Sequence, residues 1–408
     1  MSILLMENFS FGEGYALLTK PGDTTQSITP SFLTPLGGRI VRYMATGASN
    51  IYCYSRYRFE KTEMVRDGEV VDRPSVLITG LSSSGNRYAT AMYLRLPQTT
   101  HNDSIVWVGA RMMQKALDSY PSTAASGAGL IMTVTTKNTD GTLTASRKLL
   151  VINHAQQFEV DRAANAAQGS GLSIFPKNIP GKPFFLDLEY NRATGVIRVW
   201  IDNIFCAETT GWPTGDAAAT SYVAFGLDVS ASSGGKENGF YLTDLLIAED
   251  DGEGWCDRFG PDMWVESYIP TTDTINQWSR PSDYSSNHDV VAKSSFTALD
   301  TTDEGNQDYL HATASEVIDA YKGTVFLKDN ILGVSTQSVI MNAGSATHAV
   351  SPVFVSGEDV GEAAEVIVTP GTGQPYAMRT LNTVNPSTGE PFTKEEIESM
   401  SFGLKVKY

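Results

Sequence analysis

Two acidic side chains, Asp187 and Glu189, form the arrangement in the sequence that comes nearest to acid–base chemistry. They stand two positions apart in an alternating run, so both project from one face of a predicted strand, about 6–7 Å apart along the backbone. Retaining sugar hydrolases place their carboxyl groups about 5–5.5 Å apart, so a catalytic pair is compatible with this spacing. The neighbouring positions on the same face, Phe185 and Asn191, add no third acid. The other interpretation is the solvated outer face of a hairpin.

Aromatic side chains are a second kind of candidate, because an exposed ring on a sheet can stack against a sugar ring. Trp212 lies between Gly211 and Pro213 in a predicted loop, and Tyr222 follows ten residues later. We take Trp212 and Tyr222 as candidate carbohydrate-binding residues, with packing inside the loop as the alternative. Trp200 lies in an alternating strand and is predicted to be a core residue.

Metal ligands are weakly indicated. Asp250, Asp251 and Glu253 belong to the densest acidic cluster, but consecutive carboxylates point in different directions, which is typical of a solvated linker. Residues 300–311 can be laid on a calcium loop, except that His311 stands where a bidentate glutamate is required. The five histidines are too dispersed for a zinc motif, and the three cysteines include no C-x-x-C pair. We therefore predict neither a metal nor a cofactor, and expect isolated, reduced cysteines.

Motifs of the common catalytic classes are not found. Residues 80–85 and 232–236 resemble fragments of a phosphate-binding loop, but neither continues into the required Gly-Lys-Ser/Thr. No G-x-S-x-G elbow is present, and no local grouping of serine, histidine and aspartate indicates a triad. The sequence accordingly predicts a protein that is not an enzyme, with hydrolysis by Asp187 and Glu189 kept as an alternative.

Composition limits the partners and the compartment. The 408 residues are 41% hydrophobic and carry a net charge of −16, which indicates a folded chain that repels the phosphate backbone of nucleic acid. The N-terminus has no basic residue before its four apolar ones, and no apolar run approaches the ~20 residues of a bilayer span. We expect a soluble protein without a signal peptide that binds neither nucleic acid nor membrane.

The elements that would position these side chains are strands. Two alternating runs within residues 130–152 flank Asp140-Gly141, a dipeptide typical of a tight hairpin. Residues 184–190 and 196–201 predict a second hairpin with one buried side. Residues 222–228 and 239–247 flank a Ser/Gly-rich stretch and are predicted to pair with each other. Such short, regular strands favour an all-β fold of antiparallel β-sandwiches with little helix.

Two domains are expected from the length and from a break in the pattern. Residues 1–250 form the predicted first sandwich, the acidic, glycine-bearing residues 251–261 a linker, and residues 262–408 a second, jelly-roll-like sandwich. Its first strand is predicted over residues 263–269. Near the end, Thr393 and Glu396 have the spacing of a capping box, which predicts a short helix with Ile397 and Met400 on its apolar face.

Two stretches carry a family resemblance. Residues 257–261, Asp-Arg-Phe-Gly-Pro, followed by Trp278 and Asn287-His288, resemble a segment of minor structural proteins of tailed bacteriophages. The ending resembles the same group, with Asn-Pro-Ser-Thr-Gly-Glu-Pro-Phe-Thr at 385–393 and Phe-Gly-Leu-Lys-Val at 402–406. The first 250 residues resemble a concanavalin-like (lectin-like) sandwich, with residues 201–204 and 244–250 as landmarks.

The resemblance implies a virion component of the tail, neck, baseplate or head surface, assembled in the host cytoplasm, that docks to other virion proteins. It also implies a homo-oligomer, with a trimer favoured. It implies no catalytic residues, because the shared motif is structural. An alternative function is recognition of a cell-surface glycan by the lectin-like sandwich.

Overall fold

The structure is a computed structural model in which the chain is built from antiparallel β-strands, so the predicted all-β class is confirmed. It describes residues 2–7, 16–18, 40–46, 54–81, 88–95, 105–115, 128–137, 143–152, 156–163, 172–214, 222–229, 238–250, 258–293, 309–328, 330–340, 342–370 and 376–407. Contacts along the chain divide it into two compact units, Met1–Val265 and Glu266–Tyr408. Within the described ranges no helix is long and apolar enough to span a bilayer.

The first unit contains two sheets. The nine-stranded sheet has the order β14-β13-β12-β7-β16-β5-β4-β2, with β1 also paired to β16. Its strands are β1 (Ser2–Glu7), β2 (Ala16–Leu18), β4 (Tyr54–Arg66), β5 (Glu69–Leu81), β7 (Ile105–Gln114), β12 (Phe184–Asn191), β13 (Val196–Ile201), β14 (Ile204–Thr209) and β16 (Asn238–Asp250).

The seven-stranded sheet faces it, in the order β11-β10-β9-β8-β15-β6-β3. Its strands are β3 (Ile40–Thr46), β6 (Tyr88–Arg95), β8 (Ala128–Lys137), β9 (Leu143–Ile152), β10 (Gln157–Ala163), β11 (Leu172–Lys177) and β15 (Tyr222–Val229). One core joins both sheets: Leu188 and Val199 from the nine-stranded sheet share it with Leu150 and Phe158 from the seven-stranded one. This arrangement is a β-sandwich.

Two of the three predicted hairpins are confirmed. β8 pairs with β9, although the Asp140-Gly141 turn lies outside the described residues. β12 pairs with β13, and between them Gly195 has a φ of +66° in a place where a Cβ would meet the Trp212 carbonyl oxygen at 2.4 Å. Only glycine fits that turn without displacing backbone.

The third predicted pairing is wrong. β15 pairs with β6 and β8 in the seven-stranded sheet, whereas β16 pairs with β1, β5 and β7 in the other sheet. Alternation correctly marks each strand as having one core face, but it does not specify a partner.

The described residues of the second unit also form two sheets. Its six-stranded sheet has the order β17-β18-β24-β20-β21, with β22 paired to β20, and β19 and β23 form a two-stranded sheet. The bounds are β17 (Ile269–Asn276), β18 (Ile318–Thr324), β19 (Val334–Ile340), β20 (His348–Ser356), β21 (Asp359–Glu362), β22 (Val366–Val368), β23 (Tyr376–Asn382) and β24 (Ser401–Lys407). Val350 and Met378 pack together across the two sheets.

Among its described residues, the second unit also has two short helices, α1 (Asn287–Lys293) and α2 (Lys394–Ser399). The capping box at α2 is confirmed: Thr393 Oγ1 accepts from the Glu396 amide at 3.2 Å, and Glu396 Oε2 accepts from the Thr393 amide at 2.8 Å. Ile397 and Met400 face a small core with Phe354 and Phe392.

Candidate functional site

The outer face of the nine-stranded sheet carries Asp187, Glu189 and Trp200. Strand order places β7 and β12 side by side, and residues 258–265 lie over part of the face that points away from the core. We call residues 258–265 the covering segment.

Asp187 holds the covering segment. Asp187 and Glu189 share the outer face of β12, as predicted, because Leu186 and Leu188 between and beside them enter the core. Asp187 is only 1% exposed and accepts hydrogen bonds from the amides of Phe259 at 3.1 Å and Gly260 at 3.0 Å. It is therefore neither solvated nor open to a substrate, so the expectation of a catalytic pair and that of a solvated face are both corrected.

Asp244 is a second anchor that the sequence did not reveal. It lies at a bulge of β16 with a φ of +47° and is fully buried. Its Oδ1 accepts from Arg73 at 2.7 Å and from the Val265 amide at 3.1 Å, and its Oδ2 accepts from Arg111 at 2.8 Å. A buried carboxylate between two guanidinium groups is compensated in charge and in hydrogen bonding.

The same arginines reach the covering segment directly. Arg111 donates to the carbonyls of Pro261 and Met263, each at 2.8 Å, and its guanidinium lies 3.7 Å from the centroid of a Trp264 ring. Residues 263–268 form no strand. The backbone groups of Met263 and Val265 are paired with the side chains of Arg111, Arg73 and Asp244 instead. The predicted strand over 263–269 is corrected, and residues 258–261, expected in a linker, are part of this packed segment.

Gly109 makes room for the covering segment. A Cβ at this position of β7 would lie 2.6 Å from the Phe259 ring. Phe259 is 6% exposed and packs directly on the strand. β7 and β12 are buried on both faces, whereas the alternation in residues 184–190 predicts burial on one face only.

Beyond the covering segment, three rings form an aromatic strip: Trp107, Trp200 and Phe205. The centroids of Trp107 and Trp200 are 5.8 Å apart, and Phe205 meets Trp200 edge-on at 5.6 Å. Trp107 is buried, Trp200 is half-buried, and Phe205 is 55% exposed. The core placement expected for Trp200 is wrong, because Val199 and Ile201 beside it take the core face.

A row of charges runs beside the aromatic strip. Glu189, Arg198 and Glu208 lie opposite one another on β12, β13 and β14. Arg198 donates to both glutamates at 2.8 Å. Burial raises the pKa of Glu189, and the charge and hydrogen bond of Arg198 offset part of that rise. The guanidinium carbon of Arg258 lies 5.5 Å from the centroid of the Trp200 ring.

The predicted carbohydrate-binding residues lie elsewhere. Trp212 is 4% exposed, packs in the core, and donates its indole N–H to Thr209 Oγ1 at 2.6 Å. Neither face of its ring is exposed, so Trp212 has the packing role that was the alternative to carbohydrate binding. Tyr222 begins β15, and its side chain lies outside the described residues.

The weak metal candidates are not brought into a site by the described part of the chain. Asp250 ends β16, whereas Asp251 and Glu253 lie outside the described residues. Within the described ranges no group of three or more potential ligands converges. Cys206 is unbridged, and burial raises the pKa of its thiol to about 11; Cys53 and Cys256 lie outside the described residues.

The outward direction of Arg198 and Trp200 could have been predicted from the sequence. Arg198 and Trp200 stand two positions apart, on the face opposite Ile197 and Val199. A charged residue on a strand face indicates that its i+2 neighbour also points outward. The contribution of Phe205 and Arg258 depends on strand order and on the covering segment, which no local pattern encodes.

Comparisons with known proteins return structural matches of low sequence identity. No family model and no curated protein matches the chain. An endo-β-1,4-glucuronan lyase from the fungus Trichoderma reesei matches with 11% identity and a TM-score of 0.32, over 47% of this chain and 89% of that one. A family 7 alginate lyase matches with 16% identity and a TM-score of 0.34, over 59% and 95%. A carbohydrate esterase from the Shiga toxin-encoding bacteriophage phi24B matches with 12% identity and a TM-score of 0.30, over 51% and 89%.

The prediction that the protein is not an enzyme is corrected, because it rested on missing sequence motifs, and such motifs do not register a site assembled from distant residues. At such low scores and identities the matches assign none of their activities to this chain.

Proposed function

We propose that the first unit binds carbohydrate on the outer face of its nine-stranded sheet, through the aromatic strip. The observation that carries the proposal is the exposed ring of Phe205, which stands edge-on to the half-buried Trp200. Exposed aromatic rings held rigidly in place provide contact area at low cost in side-chain entropy.

The polar neighbours suit a sugar as well. One face of a pyranose presents C–H groups to a ring, while its hydroxyls need donors and acceptors at the edge. Arg198 and Glu208, whose side chains are both partly exposed, offer a donor and an acceptor beside the strip.

The test is a glycan array with the full chain, followed by titration of any glycan that binds. We expect Phe205→Ala to weaken binding by up to about tenfold, because an aromatic contact contributes about 0.5–1.5 kcal/mol beyond its buried area. Phe326→Ala is the matched control, since Phe326 is 66% exposed but lies in the second unit. Empty arrays, or equal losses in both variants, contradict the proposal.

We also propose that the protein is a component of a tailed-phage particle, as a homo-oligomer that docks to other virion proteins. The resemblance of residues 257–288 and 385–406 supports this. The resemblance implies a turn, then a capped helical turn, then a closing strand. The chain has a turn closed by the hydrogen bond from the Asn385 amide to the Glu390 carbonyl, followed by the capped helix α2 and the strand β24. Mass spectrometry of purified particles tests it: absence of the protein contradicts the proposal, and light scattering of the isolated protein reports whether it forms the expected trimer.

A further inference from the structure

The second unit brings together three residues that the sequence analysis left unconnected: Asp273 on β17, His288 in α1, and Ser286 just before α1. His288 Nδ1 lies 2.9 Å from Asp273 Oδ1. Ser286 Oγ lies 3.4 Å from the opposite ring nitrogen, Nε2, of the same histidine. The order carboxylate, imidazole, hydroxyl is that of a serine nucleophile with its base and the group that orients the base.

The ring orientation is held firmly. Asp273 accepts from the backbone amides of Asn287 at 2.9 Å and His288 at 2.7 Å, as well as from the ring. On the other side, the buried Asn287 side chain donates to both oxygens of Asp319, each at 3.0 Å. The start of α1 is thus pinned to β17 and β18, which fixes the position of the imidazole relative to the backbone.

The lowered pKa of Asp273 keeps its carboxylate ionised beside the His288 ring. Burial by itself raises the pKa of Asp273, but the hydrogen bonds from the Asn287 and His288 amides and from the His288 ring outweigh it and lower that pKa. An ionised carboxylate at Nδ1 favours the tautomer with the proton on Nδ1, which leaves Nε2 free to accept a proton from Ser286.

The three side chains are partly exposed to solvent. The side chains of His288 and Asp273 are 23% and 15% exposed, and Ser286 is half-buried. Asp289 is the other acid beside them: its Oδ2 accepts from Ser286 Oγ at 2.6 Å and from Ser285 Oγ at 2.9 Å, and its Oδ1 lies 3.9 Å from His288 Nε2. The hydroxyl proton of Ser286 therefore points to Asp289 at rest, and a turn about the Cβ–Oγ bond redirects it to Nε2.

We propose that Ser286, His288 and Asp273 form an acyl-transfer site that hydrolyses small carboxylic esters, with Ser286 as nucleophile. Ser286 Oγ bonds to the ester carbonyl carbon while its proton passes to His288 Nε2. The tetrahedral adduct collapses, the bond from carbon to the alcohol oxygen breaks, and His288 returns the proton to the departing alcohol. A water molecule, deprotonated by His288, then attacks the acyl-serine and releases the carboxylic acid, which restores Ser286 and neutral His288.

The test uses a fluorophosphonate probe on the full chain, because a nucleophilic serine displaces its fluoride and becomes phosphonylated. We expect a label on Ser286, located by peptide mass spectrometry. Ser286 caps α1, since its Oγ accepts from the Asp289 amide at 3.3 Å. Ser286→Asn keeps a good helix N-cap but has no hydroxyl, so we expect labelling to be lost without unfolding. Ser285→Ala is the matched control, because Ser285 also bonds to Asp289 but has no hydrogen bond to His288.

The roles of the other two residues have separate readouts. His288→Gln is expected to lower the labelling rate at least about 100-fold, in line with the contribution of a general base. Asp273→Asn places an amide that can also donate at Nδ1, which removes the preference for the tautomer with the proton on Nδ1, so we expect the labelling rate of the folded variant to fall. Asp273→Glu keeps a carboxylate acceptor and is expected to retain more of the rate. The charged groups that face His288 within the described residues are Asp273 from β17 and Asp289 from its own helix.

The proposal is overturned if Ser286 is not labelled, or if it is labelled equally fast in folded His288→Gln protein. Thermal unfolding of each variant establishes that it is folded. Hydrolysis of p-nitrophenyl acetate that persists in Ser286→Asn also overturns it. The site shares no residue with the aromatic strip. Failure of the ester-hydrolysis proposal therefore leaves the carbohydrate-binding proposal unaffected, and the reverse also holds.

Discussion

At the scale of single residues, the carboxylates of this protein differ in what donates to them. Asp187 and Asp244 are buried and accept from backbone amides, and Asp244 also binds two arginines. Glu362 is partly exposed and accepts from the lysines at 405 and 407, at 2.8 and 2.6 Å. The hydrogen bonds from these lysines lower the pKa of Glu362. The first two acids hold a segment in place, whereas Glu362 links the sheet edge at β21 to β24.

Glu362 makes stability depend on pH. Because its pKa in the folded protein is below the ordinary value of 4.5, its contribution is fully present above about pH 4.5 and is lost as the pH falls through the lowered pKa. We expect Glu362→Gln to destabilise the second unit at neutral pH by less than about 1 kcal/mol, since the pair is partly exposed. Urea unfolding at pH 7 and pH 3 measures this. A difference between the two proteins that grows toward pH 3 contradicts it.

At the scale of elements, burial on the nine-stranded sheet depends on what lies over each strand. β12 alternates apolar and acidic residues, yet both its faces are buried because the covering segment lies on the acidic one. β13 and β14 extend beyond that cover, and there the same alternation leaves Trp200 half-buried and Phe205 exposed. The edge of the cover thus determines where the aromatic strip is accessible.

The helix α2 depends on its N-cap. Thr393→Ala removes the oxygen that accepts from the Glu396 amide, so we expect a loss of about 1 kcal/mol in the free energy of unfolding. Thr393→Ser keeps the hydroxyl and is the control, with little change expected. Chemical denaturation measures both. Equal stability of Thr393→Ala and the unchanged protein means that the hydrogen bond does not hold the helix.

At the scale of the whole molecule, the chain forms two compact units, each with its own core. The first unit ends with the covering segment, which contributes the buried Phe259 and accepts hydrogen bonds from Arg73 and Arg111. Residues 258–265 therefore belong to the first sandwich in packing, although they follow its last strand in sequence.

Fragments of the first unit test this assignment. We expect residues 1–265 to be more stable than residues 1–257 by at least about 2 kcal/mol, because the shorter fragment exposes the surface that Phe259 and Trp264 cover. Thermal and urea unfolding of the two fragments measure the difference. Coincident transitions contradict a packed covering segment.

The sequence by itself determined the class of fold and the features that depend on neighbouring residues. Period-two alternation placed β12 and β13 and showed that Asp187 and Glu189 share a face, because side chains along a strand alternate whatever lies around them. The capping box at Thr393 was predictable for the same reason, since all its hydrogen bonds lie within four residues.

Only the tertiary structure decided what covers each face and which distant residues meet. The alternating pattern predicts that Asp187 points outward, but not that residues 258–265 lie over it. It does not predict that β15 and β16 belong to different sheets, or that Asp273 contacts His288, which is fifteen residues away in sequence. These contacts follow from strand order and from the path of the chain between strands, and both depend on the packing of the whole unit rather than on any local pattern.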